Sequence, residues 1–246
     1  MKVVVFGAGG RLGTRIVRAA VATGHDVTAF VRNQQRLLTA VGPELYSKLQ
    51  IVEGDALDAE SVRKALSGQD AAVQTAGYIG STYEEAKQLQ VVIKSIVKVA
   101  RDCLNGPRRI WVLGGAPALD LPGRGIMLVD VPGFPFMKYT IHKENYQYLC
   151  NEAGSLDWSF ACPGVMFDAP EGTIADHNKV RITINEAPVQ LPAWSQLLPN
   201  AALLPVVAAI KDQLSTASYE DIAAAIVANL GPGGPLSKQR VGFSKA

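Results

Sequence analysis

Apolar residues along this chain fall into two alternating rhythms. Short runs, mostly apolar at consecutive positions, cover Val3 to Phe6, Val27 to Val31, Leu49 to Val52, Ala71 to Gln74, Arg109 to Leu113 and Trp158 to Ala161. Consecutive apolar residues suit strands covered on both faces. Between the runs lie stretches long enough for helices, Leu12 to Ala22, Ala59 to Leu66, Tyr83 to Leu104 and Phe136 to Asn151. In Tyr83 to Leu104 the residues Leu89, Val92, Ile93, Ile96, Val97 and Ala100 recur at three- and four-residue steps, and Asn105-Gly106-Pro107 ends the pattern. The alternation predicts β-α-β units in an α/β fold: a doubly wound parallel sheet with helices on both faces. Ser218-Tyr-Glu-Asp221 reads as a capping box opening a last helix over residues 218–230, which Gly231-Pro-Gly-Gly-Pro235 closes.

Beyond Pro163 the alternation thins and prolines become frequent. The chain therefore divides into a core over residues 1–163 and a small C-terminal substrate-side region over residues 164–246. That region is expected on the sheet's carboxyl edge, where open α/β sheets hold their ligands. Within it, Ala187 to Gln213 is apolar, proline-broken and sparsely charged. It reads either as a packing or subunit contact, consistent with a homodimer, or as a lid over a substrate.

Composition narrows the classes. With 24 basic against 22 acidic side chains and 48% hydrophobic residues in 246, the chain has a core to bury and is not disordered. No Lys/Arg cluster supplies the one-sided positive face that nucleic acid requires. Leu197 to Ile210, the most apolar stretch, is broken by Pro199 and Pro205 and is too short to span a membrane. The start, Met-Lys-Val-Val-Val-Phe-Gly, does not read as a secretory signal, which leads to an expectation of a cytoplasmic protein. Cys103, Cys150 and Cys162 have neither disulfide-framework nor zinc-site spacing and are expected as small buried apolar residues.

The first run leads directly into Gly7-Ala8-Gly9-Gly10-Arg11-Leu12-Gly13, followed by a helical pattern. A glycine turn between strand and helix leaves backbone N–H groups and the positive helix end facing an anion, which points to a dinucleotide's pyrophosphate. The second run ends in Arg32-Asn33 with no acidic residue at its carboxyl end. Such a site favours the 2′-phosphate of NADP(H) over NAD(H), with Arg11 as a second cation. After the third run, Asp58 is placed to cap a helix, leaving Asp55 for an adenine amine; after the fourth, Ala76-Gly77 permits close approach of a cofactor.

Together these segments resemble the extended and atypical short-chain dehydrogenase/reductases, in particular the NmrA-like, biliverdin reductase B-like and NADH-flavin reductase-like branch. The matching segments are K-V-V-V-F-G-A-G-G-R-L-G, H-D-V-T-A-F-V-R-N, V-E-G-D-A-L-D, Q-T-A-G and S-L-D-W-S-F-A-C-P-G-V, with Val112 to Ala116, Phe134 to Phe136 and S-Y-E-D-I-A in support. The resemblance implies a Rossmann fold and a nicotinamide dinucleotide. It places the pyrophosphate on Gly7 to Gly13, the 2′-phosphate on Arg32, the adenine by Asp55, Ala56 and Leu57, and the ribose by Ala76 and Gly77. Gly114, Pro163, Val165 and Met166 would lie by the nicotinamide. The implied activity is NADPH-dependent reduction of a carbonyl, quinone, flavin or related conjugated molecule. NmrA-like redox sensing without turnover and a redox-neutral isomerase or cyclase are the alternatives.

Tyr139 and Lys143 stand four residues apart, on one face of a helix. A nearby ammonium favours a phenolate, so the pair reads as proton donor and cofactor clamp. Typical short-chain enzymes add a serine after the fifth strand; here the sequence is Leu113-Gly114-Gly115-Ala116. His142, expected half exposed, is a second candidate for the proton role. His25 and His177 show no partners in sequence. Trp158 reads as core, whereas Trp194 is a candidate for facing a flat aromatic substrate.

Overall fold

Strand alternation places Val3 and Val5 on one face of a sheet and Val4 and Phe6 on the other, and all are fully buried. Both faces are therefore covered. The computed structural model describes every residue except Tyr78, Ile79, Leu104, Phe136, Glu171, Ser215 and Thr216. The expected helix limits at Leu104 and Phe136, and the last residue of the Phe134 to Phe136 match, lie outside the described residues.

The main elements are β1 (Lys2–Phe6), α1 (Arg11–Ala22), β2 (Asp26–Val31), α2 (Gln34–Val41), α3 (Pro43–Tyr46), β3 (Gln50–Glu53), α4 (Ala59–Leu66), β4 (Ala71–Gln74), α5 (Tyr83–Asp102) and β5 (Arg109–Leu113). They continue with α6 (Thr140–Glu152), β6 (Asp157–Cys162), β7 (Met166–Phe167), β8 (Val180–Ile184), α7 (Leu204–Ile210), β9 (Ala217–Ser218), α8 (Tyr219–Ala228) and β10 (Gln239–Lys245). Eight strands form one sheet in the order β3-β2-β1-β4-β5-β6-β10-β8, parallel except for β8 against β10. This is a Rossmann-like α/β fold. Residues of α4, α5 and α6 pack on one face and those of α1, α2 and α8 on the other. The strand order reverses between β1 and β4, and in open α/β sheets such a switch point is where ligands bind, at the strands' carboxyl ends.

Local chemistry sets most element ends. Asp58 caps α4, accepting the Glu60 and Ser61 N–H groups. Thr82 caps α5 in a reciprocal box with Glu85 that the sequence reading passed over. Thr82→Ala is expected to cost about 1 kcal/mol, measurable as a shift in urea midpoint. The expected box at Ser218 is only half formed. Its Oγ accepts the Asp221 N–H, but the Asp221 carboxylate accepts from that hydroxyl and from Asp176 N instead of reaching back to the backbone of Ser218.

Residues after Pro163 contribute β8 and β10 to the sheet and α8 to the layer over α1. Within Ala187 to Gln213, Ala187, Leu203, Val206 and Ile210 enter the same core as α5 and α6, while Trp194 and Leu197 stay exposed. Trp158 is buried, as are Cys103 and Cys162, but Cys150 is exposed, contrary to expectation.

Candidate functional site

Apart from Lys143, which lies within α6, the segments singled out for a cofactor follow the carboxyl ends of strands: Gly7 after β1, Arg32 after β2, Asp55 after β3, Ala76 and Gly77 after β4, Gly114 after β5, and Pro163 after β6. The parallel sheet brings these ends to one edge. At the first turn, Gly7 has φ +78°, and a Cβ there would lie 2.7 Å from the Ala76 nitrogen. A Cβ on Gly13 would lie 2.1 Å from the Gly7 carbonyl oxygen. The turn is thus pressed between α1 and the loop after β4, with no room for a side chain at Gly7 or Gly13. The Gly10 N–H donates to the Gly7 carbonyl, and Gly10 caps α1 without any side-chain acceptor. The N–H groups of Arg11, Leu12 and Gly13, in the helix's first turn, have no acceptor within the helix and form the positive end of its dipole. Such a helix start suits a pyrophosphate.

Arg32 lines an open hollow of about 400 Å³ with Glu53, Gly54 and Asp55. It is exposed and makes no ion pair with a described residue. Glu53, not singled out in the sequence, accepts the Gln34 N–H at the start of α2 at 3.1 Å, so a carboxylate already stands beside the cation. Arg11 does not join them. Its guanidinium bonds Asp168 at 2.6 Å and covers the Tyr219 ring, while Arg15 bonds Asp168 and Glu220, each at 2.9 Å. Asp55 Oδ1 accepts the Leu57 N–H at 2.9 Å, closing an Asx turn; Ala56 is buried and Leu57 is exposed next to that carboxylate.

Gln74, fully buried at the end of β4, was also missed. Its amide donates to the Ala76 carbonyl, and its Oε1 accepts the Leu113 N–H at 3.3 Å, bracing the Ala76-Gly77 turn against β5. A lone glutamine closing an apolar run is the signal that could have exposed it. Past β6, Pro163 accepts the Ala116 N–H, and Val165 donates to the Leu214 carbonyl at 3.0 Å. Met166 pairs with Ala217, so the loop after β6 is tied to the chain that follows the Ala187 to Gln213 segment. Val165 and Phe167 leave apolar surface exposed there.

Tyr139 ends a short 3-10 turn, Met137–Tyr139, at the start of α6, and its ring lies 5.2 Å from the Lys138 ammonium. Lys143 is one turn on, but its Nζ bonds Asp130 at 2.6 Å. His142 differs from its expected half exposure. It is buried, and desolvation pushes its pKa down to about 4.

The profile of the NAD(P)H-binding family matches residues 7–188. The chain belongs to that family. Bacillus subtilis YwnB is 29% identical over 174 residues, covering 68% of this chain and 74% of that one. A candidate NADH-flavin reductase of Streptococcus pneumoniae superposes over 100% of both chains with a TM-score of 0.69 at 24% identity. A short-chain dehydrogenase/reductase of Veillonella parvula, solved with NADP, covers 99% of this chain and 94% of its own, with a TM-score of 0.63 at 13% identity. The likeness to these solved structures is one of fold, and the family match is to NAD(P)H binding. Among the described residues no helix is long and apolar enough to cross a membrane, and no cluster of metal ligands occurs.

Proposed function

We propose that this NAD(P)H-binding protein is an NADPH-dependent reductase of the atypical short-chain type, acting on a carbonyl, quinone, flavin or related conjugated small molecule. The observation that carries this reading is the turn at Gly7 to Gly13, where a Cβ on Gly7 or Gly13 would strike backbone, set against a start of α1 that no side chain caps. When bound, the reduced nicotinamide supplies the hydride. The first-turn N–H groups of α1 hold the pyrophosphate, and Asp55, Ala56 and Leu57 receive the adenine. Ala76 and Gly77, braced by Gln74, take the ribose, while Gly114, Pro163, Val165 and Met166 flank the nicotinamide. Tyr139 holds a proton for the substrate oxygen. Exposed Val165 and Phe167 suit an apolar or aromatic substrate, and the absence of a basic cluster in the sequence argues against nucleic acid. We place the protein in the cytoplasm, with homodimerisation through Ala187 to Gln213 as part of the same proposal.

NADPH consumption with a panel of carbonyls and quinones tests the activity. Binding without turnover of any member would leave a dinucleotide-sensing regulator as the better reading. The Lys143–Asp130 pair favours that second reading, because it holds the ammonium on a carboxylate. A redox-neutral isomerase would transform its substrate with no net NADPH loss.

Cofactor choice has its own test. Arg32→Ala is expected to weaken NADPH about tenfold and leave NADH unchanged, as loss of an exposed charge-assisted contact implies. Glu53→Gln should move NADPH the opposite way by removing a like charge. Calorimetric titration of both coenzymes reads the ratio, and parallel losses in Arg32→Ala would remove Arg32 from the 2′-phosphate.

A further inference from the structure

The loop after β5 carries no hydroxyl for a substrate oxygen, and another group fills the space. A Cβ on Gly115 would lie 2.7 Å from Nε2 of His142 and within 3.1 Å of two ring carbons. The imidazole therefore occupies the volume a side chain at residue 115 would take. It stacks on Tyr139 with ring centroids 6.1 Å apart and planes inclined by 13°. His142 is only 6% exposed, and its Nδ1 is buried with no hydrogen-bond partner. One turn along α6, Asn145 is 0% exposed, and neither Nδ2 nor Oδ1 has a partner.

Residues three apart on a helix share a face, so these orphaned atoms line one buried strip of α6. Buried polar groups are nearly always satisfied, and an internal water is the ordinary means where protein atoms do not suffice. We propose that His142 is a catalytic residue whose Nε2–H, presented at Gly115, hydrogen-bonds the substrate oxygen, the ring being oriented by a buried water shared between Nδ1 and Asn145. The inference rests on the reductase reading and goes beyond it by assigning the position left empty by the missing serine.

The chemistry is that of a neutral donor. Burial keeps the ring uncharged at neutral pH, so it has one N–H and one lone pair. A water that accepts from Asn145 Nδ2–H and donates to Nδ1 leaves the proton on Nε2. There it stabilises negative charge growing on the substrate oxygen without itself being transferred. Tyr139 gives the proton. Asn145 is a positioning residue, acting only through the tautomer of His142.

The test measures NADPH oxidation with 9,10-phenanthrenequinone in wild type, His142→Leu and His142→Gln, together with NADPH affinity and the ¹⁵N spectrum of the histidine ring. Expected are at least a tenfold loss of kcat/KM in the leucine variant, recovery of most of it in the glutamine variant, and unchanged NADPH affinity in both. The His142 ring should show the Nε2-protonated tautomer, and Asn145→Leu should shift it toward protonation at Nδ1. Quinone reduction at the wild-type rate by His142→Leu, or an Nδ1-protonated ring in the wild type, overturns the assignment while leaving the reductase reading standing. A wild type that binds NADPH but does not oxidise it with any carbonyl or quinone refutes the reductase reading itself, and this role with it. Should the leucine variant not fold, the glutamine variant and the wild-type tautomer decide.

Discussion

Gly13→Ala is expected to destabilise the fold by about 2 kcal/mol and to abolish measurable NADPH binding. A Cβ at residue 13 would sit 2.1 Å from the Gly7 carbonyl oxygen, 2.9 Å from the Gly7 carbonyl carbon and 3.0 Å from the Ala8 Cα. All three are backbone atoms, so no rotamer change relieves the contact; the turn or the helix must move. Overpacking of this kind costs up to about 3 kcal/mol. Replacing a helical glycine by alanine returns about 1 kcal/mol. The displaced turn is also the one whose N–H groups are to hold the pyrophosphate, so binding falls with stability. Gly9→Ala is the control for folding. Its Cβ would find only Val31 Cγ1 at 4.0 Å, and its φ is not positive, so its urea midpoint should stay near wild type. Equal stability in both variants would mean that the turn is looser than its contacts indicate.

The fold was legible wherever burial on both faces left consecutive apolar residues. Val3 to Phe6 and Arg109 to Leu113 are of this kind, and the strands formed there. The elements that escaped are those whose apolar signal is diluted. In α2 only Leu37 and Val41 are buried among eight residues, so its periodicity is faint, although Asn33 caps it. In β10, Arg240 interrupts the apolar pattern, yet it is buried because Asp120 meets it with two hydrogen bonds of 2.8 Å. A charge satisfied by a residue 120 positions away cannot be recognised from its neighbours. Edge strand β8 is half exposed and follows a short turn, which hid it among the polar residues near His177.

Legibility of the site follows the same division. Residues at strand ends are brought together by the sheet alone, so Gly7, Arg32, Asp55 and Ala76 share one edge, as their order in the chain implied. What pairs with what was not accessible. Arg11 looked like a free cation beside Arg32, but Asp168, far along the chain, takes its guanidinium. Glu53 stood inside the V-E-G-D motif without drawing notice, because its partner is a backbone N–H of α2. Gln74 acts through two main-chain groups, one on the loop after β4 and one at the end of β5. His142 carries only three residues of separation from Tyr139, but its burial depends on glycine at residue 115, a contact between elements rather than within one.

Tyr139→Phe is expected to lower kcat about a hundredfold while changing NADPH affinity little, the scale at which loss of a positioned general acid is felt. The phenol is ordinarily a weak acid near pKa 10, and its use near neutral pH calls for a cation that favours the phenolate. Lys143 is one turn away, yet its ammonium lies 2.6 Å from Asp130. Both partners are about one-third exposed, so the ion pair contributes at most about 1 kcal/mol and can exchange for another contact. Asp130→Ala is therefore expected to leave folding intact and to free the lysine for the tyrosine, raising kcat severalfold. The two variants are read together. If Tyr139→Phe keeps the wild-type kcat while His142→Leu does not, the proton comes from solvent and the histidine alone steadies the oxygen. If both lose rate and Asp130→Ala raises kcat, the tyrosine supplies the proton, the histidine holds the charge, and the lysine assists the tyrosine.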